Sequence, residues 1–262
     1  MATRKVAPGL VTVAVIMGLL ASVAGCGGSL TGSSNIMTRE MYYSGFTKLD
    51  VSSEFEVDIS RGNSYFVSIT ANDNLFQHLD IRQEGKTLHI GLKQPRIYVR
   101  TTQKAAIVMP DLYRLELSGA SKGEVSGFSS ENPMEFGLSG ASSLYINSFE
   151  AGDAEFDISG ASKVSGSIKM ADCNFVVSAG STVELDGSAG DVTIEASGAS
   201  KVRLPDFLVD NARVSLSRVS KATINAGGRL DGTVSGASEL SYVGNPTLGS
   251  LIISGASEIK KR

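Results

Sequence analysis

Few residues of this 262-residue sequence are placed to do chemistry. Gly119-Ala120-Ser121-Lys122-Gly123 has the G-x-S-x-G spacing of a serine nucleophile. That motif needs a strand–turn–helix setting and a histidine further along the chain. His78 and His89 both precede Ser121, so the sequence does not support a Ser-His-acid hydrolase. His89 alternates with Leu88 and Ile90 and reads as an exposed strand residue. Two histidines and two cysteines supply no nitrogen–sulfur metal site, and no cofactor is expected. The carboxylates are more suggestive. Asp153, Asp172 and Asp191 recur at intervals of 19, and Asn211 follows 20 later. If such copies stack, three carboxylates stand about 5 Å apart, and they must be screened, protonated or bridged by a cation. Each could cap its own turn, beside Gly152 and Gly190. Together they could hold a weakly bound Ca²⁺. In a neighbouring column, Glu135 and Glu155 could form the acid pair of a sugar-cleaving site, although no aromatic sugar platform accompanies them.

The first 25 residues stand apart. Arg4 and Lys5 precede an almost wholly apolar run from Leu10 to Leu20, followed by Val23-Ala24-Gly25-Cys26. A charged start, a short apolar core and small residues before a cleavage point describe an export signal. The run is too short for a spanning helix. V-A-G-C resembles the bacterial lipobox, which implies cleavage before Cys26, lipid on its thiol and anchorage to a membrane. Without residues 1–25 the chain carries 22 basic against 27 acidic side chains, a formal charge of −5. That balance offers no basic footprint for nucleic acid. Cys173 is then the only other thiol, so no intrachain disulfide can form. Among Asn174, Phe175 and Val176 it reads as a small buried hydrophobe.

What must position these residues is a repeat. The phrase Ser-Gly-Ala-Ser, in exact or degenerate form, begins at Ser118, Ser139, Ser159, Ser178, Ser197, Ser217, Ser235 and Ser254. The spacings are 21, 20, 19, 19, 20, 18 and 19 residues. One position before the serine stand Leu117, Leu138, Ile158, Val177, Ala196, Leu216, Val234 and Ile253, and three before it the column is again mostly apolar. Five and seven positions after it, apolar residues return, as in Leu144 and Ile146 or Val183 and Leu185. Period-two alternation on both sides of a small-residue corner gives strand, corner, strand, turn. A unit of 20 residues cannot bury its own apolar face, but stacked copies can. The expected fold is all-β: a right-handed parallel β-helix, or solenoid, of ~20-residue coils, each about 4.8 Å above the last. The position after the phrase reads Lys122, Ser143, Lys163, Thr182, Lys201, Lys221, Glu239, Glu258, an outward ladder taken as a solvated face. Lys260-Lys261-Arg262 reads as charge that blunts the open edge of the last coil.

Residues 26–41 are small and polar, and read as a lipid-anchored tether. Residues 42–262 read as one domain, with 42–110 a less regular β-rich cap and 111–262 eight coils. Strands are expected at EFEVDI (54–59), YFVSIT (65–70), KTLHIGL (86–92) and AAIVMP (105–110), and one helical turn in NDNLFQHL (72–79). The stretch from FTKLDVSSEFEVDIS through KTLHIGL to MPDLYRLELSGASK, with the repeated S-G-A-S, resembles the auto-transporter adhesin head GIN domain family over roughly residues 42–240. The resemblance implies an exported bacterial protein, often a lipoprotein, with a β-helical body, and brings no catalytic residues. The expected function is therefore non-catalytic: an envelope-anchored module for adhesion, surface interaction or structure, whose partner is a glycan or an envelope protein. The alternative is a carbohydrate-active enzyme using the acidic columns.

Overall fold

The structure is a computed structural model that describes residues 28–262 except Pro95; the expected leader 1–25 and Cys26 lie outside the described residues. The chain forms a β-solenoid of about seven turns. Each turn has three straight stretches. On the first face, Arg114–Leu117, Met134–Leu138, Ala154–Ile158 and Cys173–Val177 stack in parallel register. On the second, Lys122–Ser126, Ser143–Glu150 and Lys163–Lys169 do the same. A short third stretch pairs Phe149 with Ile168 and Ile168 with Gly187.

The expected apolar columns face inward. Leu115, Phe136, Phe156, Phe175 and Ile194 are buried, as are Val125, Ile146, Leu185, Leu204 and Ile224. The parallel register lays like on like: Phe136, Phe156 and Phe175 stack with centroids 4.7 and 4.8 Å apart, a favourable offset aromatic geometry. Between faces one and two the chain turns through two successive left-handed residues. Gly140 and Ala141 have φ of +62° and +66°, and Gly160 and Ala161 have +66° and +65°. A Cβ at Gly160 would lie 2.7 Å from the Gly140 nitrogen of the coil beside it. Glycine is therefore demanded twice over, by φ and by the coil spacing.

The corner was missed once by the sequence pattern. Ser52-Ser53-Glu54-Phe55 occupies the same place, since Val51 pairs with Leu117 and Glu56 with Lys122. Ser53 and Glu54 take φ of +65° and +61°. Phe55, fully buried, stands in the column of the second serine, so the spelling differs while the geometry is kept. Thr87–Leu92 and Gln103–Met109 then form a further layer on the far side of this coil. The helical turn expected within 72–79 is a 3-10 turn, Asp73–His78.

The expectation of a tether over 26–41 is corrected for its described part. Ser29–Thr31 pairs in parallel with Ile97–Val99, and Ile36–Met41 runs antiparallel to Phe66–Asn72. With Leu79–Glu84 antiparallel on Thr87–Leu92, these segments close the N-terminal end of the stack. Composition misled because this outermost strand shows no alternation of buried and exposed residues; Ile36–Met41 is exposed along nearly its whole length.

Arg218 and Val219 take the paired left-handed positions with φ of +54° and +71° and no glycine. A side chain in this region costs roughly 1–2 kcal/mol, and a β-branched one is a marked outlier. Restoring the phrase with Arg218→Gly/Val219→Ala is expected to stabilise the fold by about 1 kcal/mol, a rise of roughly 2–4 °C in Tm. An unchanged or lower midpoint in a calorimetric melt contradicts the strain assigned to this corner.

Candidate binding face and the residues expected to react

Ser121 is fully buried, and its hydroxyl donates to the Ser118 carbonyl at 2.7 Å. Its counterparts do the same, Ser142 to Ser139 at 2.8 Å and Ser162 to Ser159 at 2.7 Å. They also accept from the neighbouring coil: the Ser142 amide donates to Ser162 Oγ and the Ser162 amide to Ser181 Oγ, each at 3.2 Å. A serine tied into this ladder is a structural bolt, and the G-x-S-x-G match is coincidental.

The aspartate column is real, and its side chains bond from coil to coil. The Asp172 amide donates to Asp153 Oδ1 at 3.3 Å and the Asp191 amide to Asp172 Oδ1 at 2.8 Å. Asn211 Nδ2 donates to Asp191 Oδ1 at 2.8 Å, and Asn211 Oδ1 accepts from the Arg229 amide at 2.9 Å. Each side chain therefore caps the next coil rather than its own turn. Sequence spacing reveals the column, but the direction of the bond depends on coil offset. Among the described residues no group of three or more carboxylates, cysteines or histidines is arranged to hold a metal ion. Cys173 is buried as expected; burial, and then the neighbouring Asp172 charge, pushes its thiol well up.

His89 faces outward but is half-buried rather than exposed. Its Nδ1 lies 2.9 Å from Asp50 Oδ2, and its Nε2 3.7 Å from Glu84 Oε2. The antiparallel strand Leu79–Glu84, which covers it, was invisible to a local pattern. His78 sits in the 3-10 turn near Tyr98. In the outward ladder after the corner, Lys122, Lys163, Lys221, Glu239 and Glu258 make ion pairs. Lys122 and Lys104 flank Glu56 at 3.4 and 2.8 Å, and Lys221 meets Glu239 at 2.9 Å. Lys221 and Lys260 hold the Glu239 carboxyl down to about 2.

On the first face the outward row is interrupted. Gly137 leaves a gap in its outward row, because its register neighbours are Glu116 and Asp157. The gap opens a hollow of about 370 Å³ lined by Asp50, Arg114, Glu116, Glu135, Glu155 and Asp157. Arg114 bridges Glu116 and Glu135, the latter at 3.4 Å. Glu135 and Glu155 do sit on adjacent rungs. Both are exposed, whereas a catalytic pair needs one acid kept protonated by its surroundings. Tyr145, half-exposed on the second face between Glu124 and Ser165, was missed; its outward parity two positions beyond the corner ladder could have revealed it.

The three-sided solenoid thus has an interior of apolar columns and buried serines and a polar hollow on its first face. Residues 45–246 match the family described as "Putative auto-transporter adhesin, head GIN domain", and the chain belongs to that family. Three solved structures share the fold. A putative lipid binding protein from Parabacteroides distasonis superposes with a TM-score of 0.84 at 20% identity, covering 89% of this chain and 99% of that one. A putative adhesin from the same species gives 0.81 at 13% identity, covering 90% and 100%. A putative adhesin from Parabacteroides merdae gives 0.76 at 14%, covering 89% and 99%. No curated protein matches the sequence.

The coil-to-coil capping implies that Asp172→Asn keeps both hydrogen bonds and relieves repulsion, as Asn211 already does, so its melting midpoint should equal or exceed the parent's. Asp172→Ala loses the acceptor and should cost about 1 kcal/mol. Calcium and chelator should give identical melts of the parent protein; a calcium-dependent rise restores the cation reading.

Proposed function

We propose that the protein is a non-catalytic recognition module of the cell envelope, anchored extracytoplasmically through lipid on Cys26, which presents its first face to surface glycans. The observation that carries the reading is the hollow at Gly137. It is a shaped, polar, solvent-open site of about 370 Å³ on a rigid sheet, whose carboxylates and guanidinium are already oriented by one another. Fixed hydrogen-bonding groups on a pre-formed surface suit sugar hydroxyls and lose little entropy on binding. Family membership among adhesin-like proteins supports a surface role, and the V-A-G-C motif supports the anchor. The polysaccharide-cleaving alternative has less behind it, since Glu135 and Glu155 are both solvated and Glu135 is paired with Arg114.

The test is a glycan-array and whole-cell binding screen of the full chain, with calcium and with chelator. Binding is expected in both conditions. Gly137→Phe, which fills the hollow at an outward strand position, should reduce it at least about tenfold without lowering Tm. Binding indifferent to Gly137→Phe removes the hollow from the account. Cleavage of a bound polysaccharide removes the non-catalytic reading. Cys26→Ser should leave the protein unlipidated and out of the membrane fraction.

A further inference from the structure

The two ends of the solenoid are unlike. At the N-terminal end the antiparallel strands cover the core, and Phe46, Leu75 and Phe55 are completely buried. At the other end, Thr247–Ile253 and Glu258–Lys261 are the outermost strands, each paired on one side only. Their inward residues stack on a finished core. Leu248 lies over Leu230, Ile253 over Val234 and Ile259 over Leu240, and each lower member is wholly buried. Yet Leu248 and Ile253 are 47% and 50% exposed, and Leu251 and Ile259 are half-covered. The basic residues expected to blunt this edge do not lie across it. Lys260 leans back along the outer face to Glu239 at 2.5 Å and Glu258 at 3.3 Å, and Lys261 reaches sideways to Asn245 at 2.6 Å. The apolar interior of the last coil is left open.

We propose that two copies of this chain join end to end through their last coils, with Glu258–Lys261 pairing antiparallel to itself about Ile259. Side chains of a strand alternate between inside and outside. A self-paired strand that keeps one continuous core must therefore be centred on a residue, not between two. Centring on Ile259 brings the two Ile259 side chains together on the inside. It also sets Glu258 directly opposite Lys260 of the second copy, twice, on the outside. Opposite charges at that cross-strand position favour the register. Ile259 of each copy then gains the extra layer that buries Leu240 one coil below. Because among the described residues the N-terminal end shows no open core to match, the contact is of like with like and closes as a dimer rather than growing into a filament.

The experiment is sedimentation of the full chain, purified from membranes in mild detergent with the detergent mass subtracted. A dimer is expected at tens of micromolar. Lys260→Glu sets like charges opposite each other twice and should weaken dimerisation at least about tenfold. Glu258→Lys/Lys260→Glu should restore it. Far-ultraviolet circular dichroism of both variants at the temperature of the run must match the parent, so that dissociation is not unfolding. A parent protein that stays monomeric at roughly 100 µM overturns the proposal. So do assemblies that grow beyond two copies, or a dimer indifferent to both charge changes.

Discussion

The structure depends on one constraint: every turn must bend sharply at the same place, with its neighbours only one strand spacing away. Two consecutive left-handed residues make that bend, and glycine and alanine fill these positions at most corners. The buried serine that follows closes it: the Ser142 hydroxyl donates within its own turn, and its amide donates to Ser162 Oγ of the adjacent coil. Left-handed pairs are costly in isolation. Here the cost recurs at each coil and is offset by backbone bonds between corners, such as Ala120 to Gly140 and Ala141 to Gly160, both 2.8 Å. Where the spelling drifts, as at Arg218-Val219 or Ser53-Glu54, the conformation persists because the stack on either side imposes it.

This explains what the sequence could reveal. The eight corners and their flanking apolar columns were legible because a parallel register repeats one geometry at one interval, and Phe136, Phe156 and Phe175 fall where the columns put them. The first coil was not, because Phe55 replaces the buried serine and a 66-residue excursion separates Ser52 from Ser118. Residues 29–41 were misjudged for a related reason. A strand added antiparallel to an end layer takes its place from that layer, not from its own alternation. The covering of His89 has the same origin, since it depends on a strand that pairs through tertiary structure alone.

The candidate site was less legible than the fold. Spacing located the serine and aspartate columns correctly, but in a solenoid any outward or corner position repeats, so periodicity does not distinguish a reactive group from a structural one. Hydrogen bonding does. The serines and aspartates hold neighbouring coils together, while outward positions such as Gly137 and Tyr145 break the pattern and make no such bond. Function in this molecule is expected where the repeat is imperfect, and stability where it is faithful.

The most direct test is amide hydrogen exchange at the corners, which separates a structural bolt from a flexible Gly/Ser linker. The amides of Ser142, Ser162 and Ser220 donate to serine oxygens of the next coil at 3.2, 3.2 and 3.1 Å. They should exchange as slowly as the strand amides on either side and be released together with them. Rapid exchange at these serines, with the flanking strands still protected, would contradict the corner as the element that holds the solenoid together.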